Sequence, residues 1–202
     1  MFFAKANSKK IVILLGHPDR ETLSGHFATL YEAAAQQAGH EVRRFNLGDM
    51  QFDSILHKGY KVIQTLEPDL RALQEAIQWC DHLLVIYPNW WCTMPALLKG
   101  LFDRIWLPGF AFNMRKNNKG TPVFGWVKRL KGKTARVVVL SGMHPFLIWL
   151  AFGDYTNEIK KGILWFAGFS VKMSLFGPTE KAPEWKKNEW RRKILSLAKR
   201  GE

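Results

Sequence analysis

The chain has 202 residues, 47% of them apolar and 23% charged. These are ordinary globular values, which exclude a disordered, collagen-like or disulfide-scaffold protein and suit one α/β domain with its own core. The net charge of +13 raises nucleic acid or an anionic membrane as partners, but no nucleic-acid motif accompanies it.

In chain order, Ile11-Val12-Ile13-Leu14-Leu15 is a continuous apolar run ending at Gly16. Such runs suit strands buried on both faces of a parallel sheet. Residues 24–38 read as a helix with Phe27, Leu30, Tyr31, Ala34 and Ala38 on one face, stopped by Gly39. Residues 41–47 form a second strand and 52–66 an irregular crossover. A helix follows at 67–79, with Leu70, Leu73, Ile77 and Trp79 pointing inward. The third strand is 82–87 and the next helix 95–106. Residues 107–132 hold several Gly, Pro and Asn and read as a long loop region, a common place for function. The fourth strand is 135–141, a helix covers 156–167, the fifth strand is 169–175 and the last helix is 184–199. That last region is basic, with eight Lys/Arg against three Glu between 181 and 202. A solvated helix face explains it, and an anionic lipid or acidic partner is the sharper alternative.

Strands alternating with helices predict a parallel sheet covered on both faces. Ligands of such sheets bind beyond the carboxyl ends of the strands. The loops to inspect are therefore those after Gly16, Tyr87 and Ser141. Cys80 and Cys92 stand in no CxxC or Cys/His spacing, so no metal site is expected and both read as reduced thiols of a cytoplasmic protein. Neither a signal peptide nor an apolar stretch of about 20 residues is seen.

The first loop, from Gly16 to His26, enters a helix N-terminus, where N–H groups and the helix dipole favour a phosphate. Thr22 and Ser24 add hydroxyls, and His17 and His26 add imidazoles. It is neither a Walker A loop nor a GxGxxG turn, and phosphate binding stands level with Ser24 being a plain helix cap. The second loop is Tyr87-Pro88-Asn89-Trp90-Trp91-Cys92-Thr93-Met94-Pro95. Adjacent tryptophans cannot both enter one core, so at least one belongs at the cleft, as a wall for a flat heterocycle. The third loop is Ser141-Gly142-Met143-His144-Pro145. Gly142 permits close backbone approach, and His144 is either plain surface or a titrating donor. The apolar run Phe146-Leu147-Ile148-Trp149-Leu150 suits a subunit interface, with membrane contact as the weaker reading. No GxSxG elbow supports a serine hydrolase.

Together the loops resemble the flavodoxin-like NAD(P)H:quinone oxidoreductase family over residues 10–176. The most specific stretch is Tyr87-Pro88-Asn89-Trp90-Trp91 through Pro95-Ala96-Leu97-Leu98-Lys99-Gly100-Leu101-Phe102-Asp103-Arg104-Ile105, similar to the family's YPxxW…PAxLKGxxDR pattern. His17…Ser24 resembles the flavin-phosphate loop, and Gly109-Phe110-Ala111-Phe112 an aromatic segment near the flavin. The resemblance implies a three-layer α/β sandwich: a five-stranded parallel sheet in order 2-1-3-4-5 with helices on both faces, one domain over 1–202 and a basic helix at about 183–200. It implies FMN or FAD as cofactor, NAD(P)H as co-substrate, a quinone as acceptor and a homodimer. His17, Thr22, Ser24 and His26 would hold the flavin phosphate. Pro88, Asn89, Trp90, Trp91 and Cys92 would line the ring, with Ser141, Gly142 and Met143 along its polar edge. Lys99, Asp103 and Arg104 would be structural. The family's Tyr/His pair falls here on Phe146 and Phe152, leaving His144 as the catalytic candidate. Relatives that serve as ancillary subunits of potassium efflux systems imply the alternative, a regulatory flavoprotein docked on a membrane transporter.

Overall fold

A computed structural model describes residues 8–202. Five strands make one parallel sheet: β1 Lys10–Leu15, β2 Glu41–Asn46, β3 His82–Pro88, β6 Thr134–Leu140 and β7 Ser170–Phe176. Their order is β2-β1-β3-β6-β7. Counting these five alone, that is the expected 2-1-3-4-5. The register runs from Lys10↔Glu41 at one edge to Leu140↔Phe176 at the other.

The strands are apolar runs because both faces are covered. Ile11 to Leu15 are wholly buried, and each such side chain contributes about 1.5–3 kcal/mol on burial. On one face lie α1 (Leu23–Gln37) and α5 (Glu184–Arg200), which pack Phe27, Tyr31, Trp190 and Ile194 against Ile13 and Ile86. On the other lie α2 (Pro68–Trp79), α3 (Ala96–Ile105) and a π-helix (Glu158–Trp165), which pack Leu73, Leu98 and Ile159 against Val12 and Val85. Cys80 sits in this second core, where burial pushes its thiol up to about 11.

Arg104 lashes the 52–66 crossover to α3, which gives it the structural role expected. Its guanidinium, wholly buried, donates to both Glu67 carboxylate oxygens (2.9 and 3.2 Å), to the Thr65 carbonyl (2.9 Å) and to the Asp53 carbonyl. Burial works against the Glu67 charge, yet the Arg104 and backbone hydrogen bonds hold its carboxyl below the usual range. Lys99 and Asp103 pair at 2.7 Å one turn earlier.

Three regions differ from expectation. Within 107–132, read as a loop, a β-hairpin forms from β4 (Phe112–Lys116) and β5 (Pro122–Lys128). Trp126 anchors it by stacking on Phe166 at 4.4 Å and donating to that residue's carbonyl. The run after Pro145 is a short helix, α4 (Pro145–Phe152), in which only Ile148 is buried. Phe146, Leu147, Trp149, Leu150 and Phe152 are exposed. The segment expected as an ordinary helix at 156–167 is π-helical over most of its length. Among the described residues, no helix is long and apolar enough to cross a membrane, and no cluster of side chains suits a metal ion.

Candidate active-site cleft

The carboxyl ends of β1, β3 and β6 open onto a cleft of about 600 Å³, within the usual range for ligand sites. His17, Thr22, Ser24, Pro88, Asn89, Trp90, Trp91 and Gly142 line it, joined by Leu23, Leu140, Thr179 and Glu180. The three loops singled out in the sequence thus meet around one space.

The first loop is a chain of short turns. His17 Nδ1 accepts from the Asp19 N–H (2.9 Å), and Asp19 Oδ1 accepts from the Glu21 N–H (2.8 Å). Thr22, extended at φ −129°, caps α1 by accepting from the Gly25 N–H (3.3 Å) and donates to the Asp19 carbonyl. The cap is therefore Thr22 and not Ser24, which is already helical and buried. A residue caps where the chain last holds extended angles, and here that is one step before Leu23. Two glycines fix the loop's height. A Cβ at Gly25 would lie 1.9 Å from the Arg20 carbonyl oxygen, and one at Gly48 would lie 1.7 Å from that of Pro18. The loop thus lies directly on the α1 N-terminus and on the turn after β2.

The second loop turns sharply. Trp90 and Thr93 exchange backbone hydrogen bonds (3.0 and 3.1 Å) around Trp91 and Cys92, which have φ of 52° and 61°. Two positive φ values mark a turn that ordinarily takes Asn-Gly. With side chains present it costs about 1–2 kcal/mol per residue, and such strain clusters at functional sites. The turn aims Trp91 into solvent, 97% exposed, and leaves Trp90 against His17, ring centroids 5.4 Å apart edge to face. That contact joins the helix N-terminus to the aromatic wall. Both indoles line the cleft. Cys92 does not; it is half-buried and packs on the core.

In the third loop, Gly142 reaches the cleft and Met143 is exposed beside it. Ser141 is buried, with its Oγ unpartnered, as are Asn89 Oδ1 and the Tyr155 hydroxyl. Burial pushes the Tyr155 phenol up, and the nearby Ser141 hydroxyl opposes that. His144 lies outside the cleft lining and caps α4, its Nδ1 accepting from the Phe146 N–H at 3.2 Å. His26 also lies outside, exposed on α1 with its ring 6.1 Å from Phe27.

Thr179, Glu180 and Tyr155 were missed from sequence. Thr179 donates twice to the Ser141 carbonyl (3.0 and 3.2 Å), which ties the loop after β7 to the third loop. The signal was available: Gly177-Pro178-Thr179 follows the carboxyl end of a parallel strand, as the other three loops do.

Residues 9–195 match a protein family described by a flavodoxin-like fold. The chain is similar to a ribosyldihydronicotinamide dehydrogenase-like protein of Penicillium crustosum, 26% identical over 80% of this chain and 70% of the relative. It is similar also to the NAD(P)H dehydrogenase [quinone] 1 of Rattus norvegicus, 24% identical over 81% of this chain and 66% of the relative. The chain spans between 56% and 70% of the length of the first curated relatives it matches. In the solved NAD(P)H:quinone oxidoreductase from Methanothermobacter marburgensis the same fold recurs, with a TM-score of 0.78 and 24% identity over 96% of this chain and 100% of that one. With the matched sheet order, the cleft at its carboxyl edge and a family match over nearly its whole length, the chain belongs to the flavodoxin-like family in which these quinone reductases are found.

Proposed function

We propose that the protein is a flavin-dependent NAD(P)H:quinone oxidoreductase. It moves two electrons, as hydride, from NAD(P)H to a quinone or similar acceptor in a ping-pong cycle. The contact of His17 with Trp90 across the cleft carries this reading, because it joins an anion-favouring helix N-terminus to a wall for a flat ring. The names of the relatives support it.

The residues present fit a flavin. Asn89 Oδ1 and Ser141 Oγ are buried without partners, and such atoms are costly unless a ligand or water pairs with them. The flavin, when bound, supplies reversible two-electron chemistry. His17, Thr22 and Ser24 would hold its phosphate; Pro88, Asn89, Trp90 and Trp91 would flank its ring; Ser141, Gly142 and Met143 would meet its polar edge. Cys92 belongs to the turn that carries Trp91, and His26, outside the cleft, is left out of the phosphate set. His144 keeps Nε2 available, its Nδ1 being committed to the α4 cap, and is assigned to hold a proton near the third loop. FMN is the first choice of flavin, with FAD as the other. The Trp90 and Trp91 indoles would flank the place where NAD(P)H and the quinone are received. A cytoplasmic homodimer, with the apolar face of α4 against its partner, completes the proposal.

The test is a visible spectrum of the purified protein, followed by NADPH without oxygen and then menadione. Flavin bands that bleach and return support the proposal. A colourless protein that takes up neither FMN nor FAD would end it.

A further inference from the structure

At the opposite edge of the sheet, the strands begin with polar residues. His82, Thr134 and Ser170 share one row of the register, and Arg136 and Lys172 share another two residues on. They surround a hollow of about 90 Å³, closed by Lys9 and by Glu202 just beyond α5. His82 and Arg136 are more than nine-tenths buried, yet His82 Nε2 and Arg136 Nε have no partner. An apolar pair in these positions would have avoided the desolvation cost of both groups.

The charges there are only partly answered. Lys9 Nζ donates to the Arg200 and Gly201 carbonyls (3.3 and 3.0 Å) at the negative end of α5. His40 accepts the Lys9 N–H at Nδ1, so its Nε2 donates to the Lys199 carbonyl. Arg136 Nη1 also reaches the Met173 carbonyl and Ser174 Oγ (3.5 and 3.4 Å) and Arg200 Nη1 reaches Ser196 Oγ, but for a negative charge Arg136, Lys172 and Arg200 share one oxygen, Glu202 Oε2, at 3.5, 3.7 and 3.6 Å. Charge-assisted hydrogen bonds are typically about 2.7–2.9 Å long. One carboxylate oxygen is thus spread loosely over three cations, with unpartnered nitrogens beside it.

We propose that this hollow is a binding site for a single tetrahedral oxyanion of the phosphate class, held by Arg136, Lys172 and His82, with the Glu202 carboxylate as its built-in competitor. The volume suits one such ion, being about three times the ~30 Å³ share of a water molecule. Thr134 Oγ1 lies 2.8 Å from His82 Nδ1 and 3.4 Å from the Asp81 carbonyl, so its hydroxyl can donate to either. When that hydroxyl donates to Nδ1, Nε2 carries the proton and faces the anion as a donor. Burial, followed by the charges of Lys9, Arg136, His40 and Lys172, pushes His82 down to about 3, so the ring enters the site neutral. The site lies at the amino edge of the sheet, away from the cleft, and does not depend on the proposed activity.

The experiment follows the His82 imidazole nitrogens by NMR while inorganic phosphate replaces chloride at constant ionic strength. The readout is local, so it stands whether or not flavin is bound. A saturable shift is expected. Glu202→Gln should tighten it roughly fivefold by removing the competitor, and Lys172→Gln should weaken it roughly fivefold. Lys172 is 65% exposed, so its removal does not threaten the fold. A glycerol 3-phosphate titration separates sources: equal affinity assigns the site to a phosphoryl group on a larger molecule, and weaker binding to free phosphate. Resonances that follow ionic strength alone, or identical titrations in both variants and the parent, would overturn the proposal.

Discussion

At their carboxyl ends, β1, β3 and β6 hand the chain to loops that act through backbone shape. Glycines let one loop lie on another, a left-handed turn aims an indole, and caps fix helix starts. At their amino ends, β3, β6 and β7 open with His82, Thr134, Arg136, Ser170 and Lys172, which act through polar and charged side chains. Three-layer packing explains the contrast. Between the helical layers the strands must be apolar, so polar chemistry is confined to the two rims. The carboxyl rim has long connections that can be shaped. The amino rim has mostly the side chains of the strand starts.

The comparison makes a division testable: carboxyl-rim changes should alter flavin binding, and amino-rim changes should alter the pH dependence of stability. The largest effect is expected for Gly25→Ala, whose methyl would collide with the Arg20 carbonyl. It should abolish flavin uptake and cost about 2–4 kcal/mol in urea unfolding. Parental flavin affinity in this variant would show that the loop's height is immaterial.

Next in size is the pH response. His82 is held neutral in the folded chain, down to about 3, against an ordinary 6.5. As pH falls below 6.5 the unfolded chain takes up a proton that the folded chain refuses. Stability from this group is therefore full above 6.5 and declines towards 3. The loss between pH 6.5 and 5 should be on the order of 1–2 kcal/mol. Carboxylates such as Glu67, ordinarily near 4.5, enter only at lower pH. Urea melts at both values should show the slope in the parent and a flatter one in His82→Gln, with flavin affinity unchanged. An equal slope in both would place the response elsewhere.

Cys92→Gly relaxes one left-handed residue but gives up its packing on the core and loosens the unfolded chain, so stability should change by less than about 1 kcal/mol, while flavin affinity falls severalfold because the turn no longer fixes where Trp91 stands. Undiminished affinity would separate the strain from the site. Smallest is His144→Ala, which removes the α4 cap at about 0.5–1 kcal/mol. Slower single-turnover oxidation of NADPH would support the proton-holding role, and an unchanged rate would leave His144 a cap alone.

How much could be read in advance follows from the same packing. Runs such as Ile11–Leu15 are legible because burial on both faces demands continuous apolar residues. The cleft loops are legible because strand-to-helix junctions fall at predictable places, and Trp90-Trp91 cannot be absorbed by one core. Thr22 as the cap was off by two residues from the Ser24 reading, since two hydroxyls stand together and backbone angles decide between them. The hairpin was hidden by its Asn117-Asn118-Lys119-Gly120 turn and by Met114, Val123 and Phe124, exposed apolar residues where polar ones were anticipated. Helix α4 has no polar face, so no periodicity marks it. The amino-rim hollow draws on residues 82, 136 and 172, which the parallel register brings together, and on residues 9 and 202, which flank β1 and α5.

In the chain, the β4–β5 hairpin stands between β3 and β6, two adjacent interior strands of the sheet. Its outer half, which includes Arg115, Lys116 and Lys119, is exposed. Trypsin should therefore cut here first and divide the chain into a half carrying β2-β1-β3 and a half carrying β6 and β7. Seven paired residues between β3 and β6 and the packing of α1 on α5 span that cut. A nicked molecule should then migrate as one particle in native gels and as two bands in denaturing ones. The same position is where the gene could be divided to make a two-piece reporter that reassembles around the cleft.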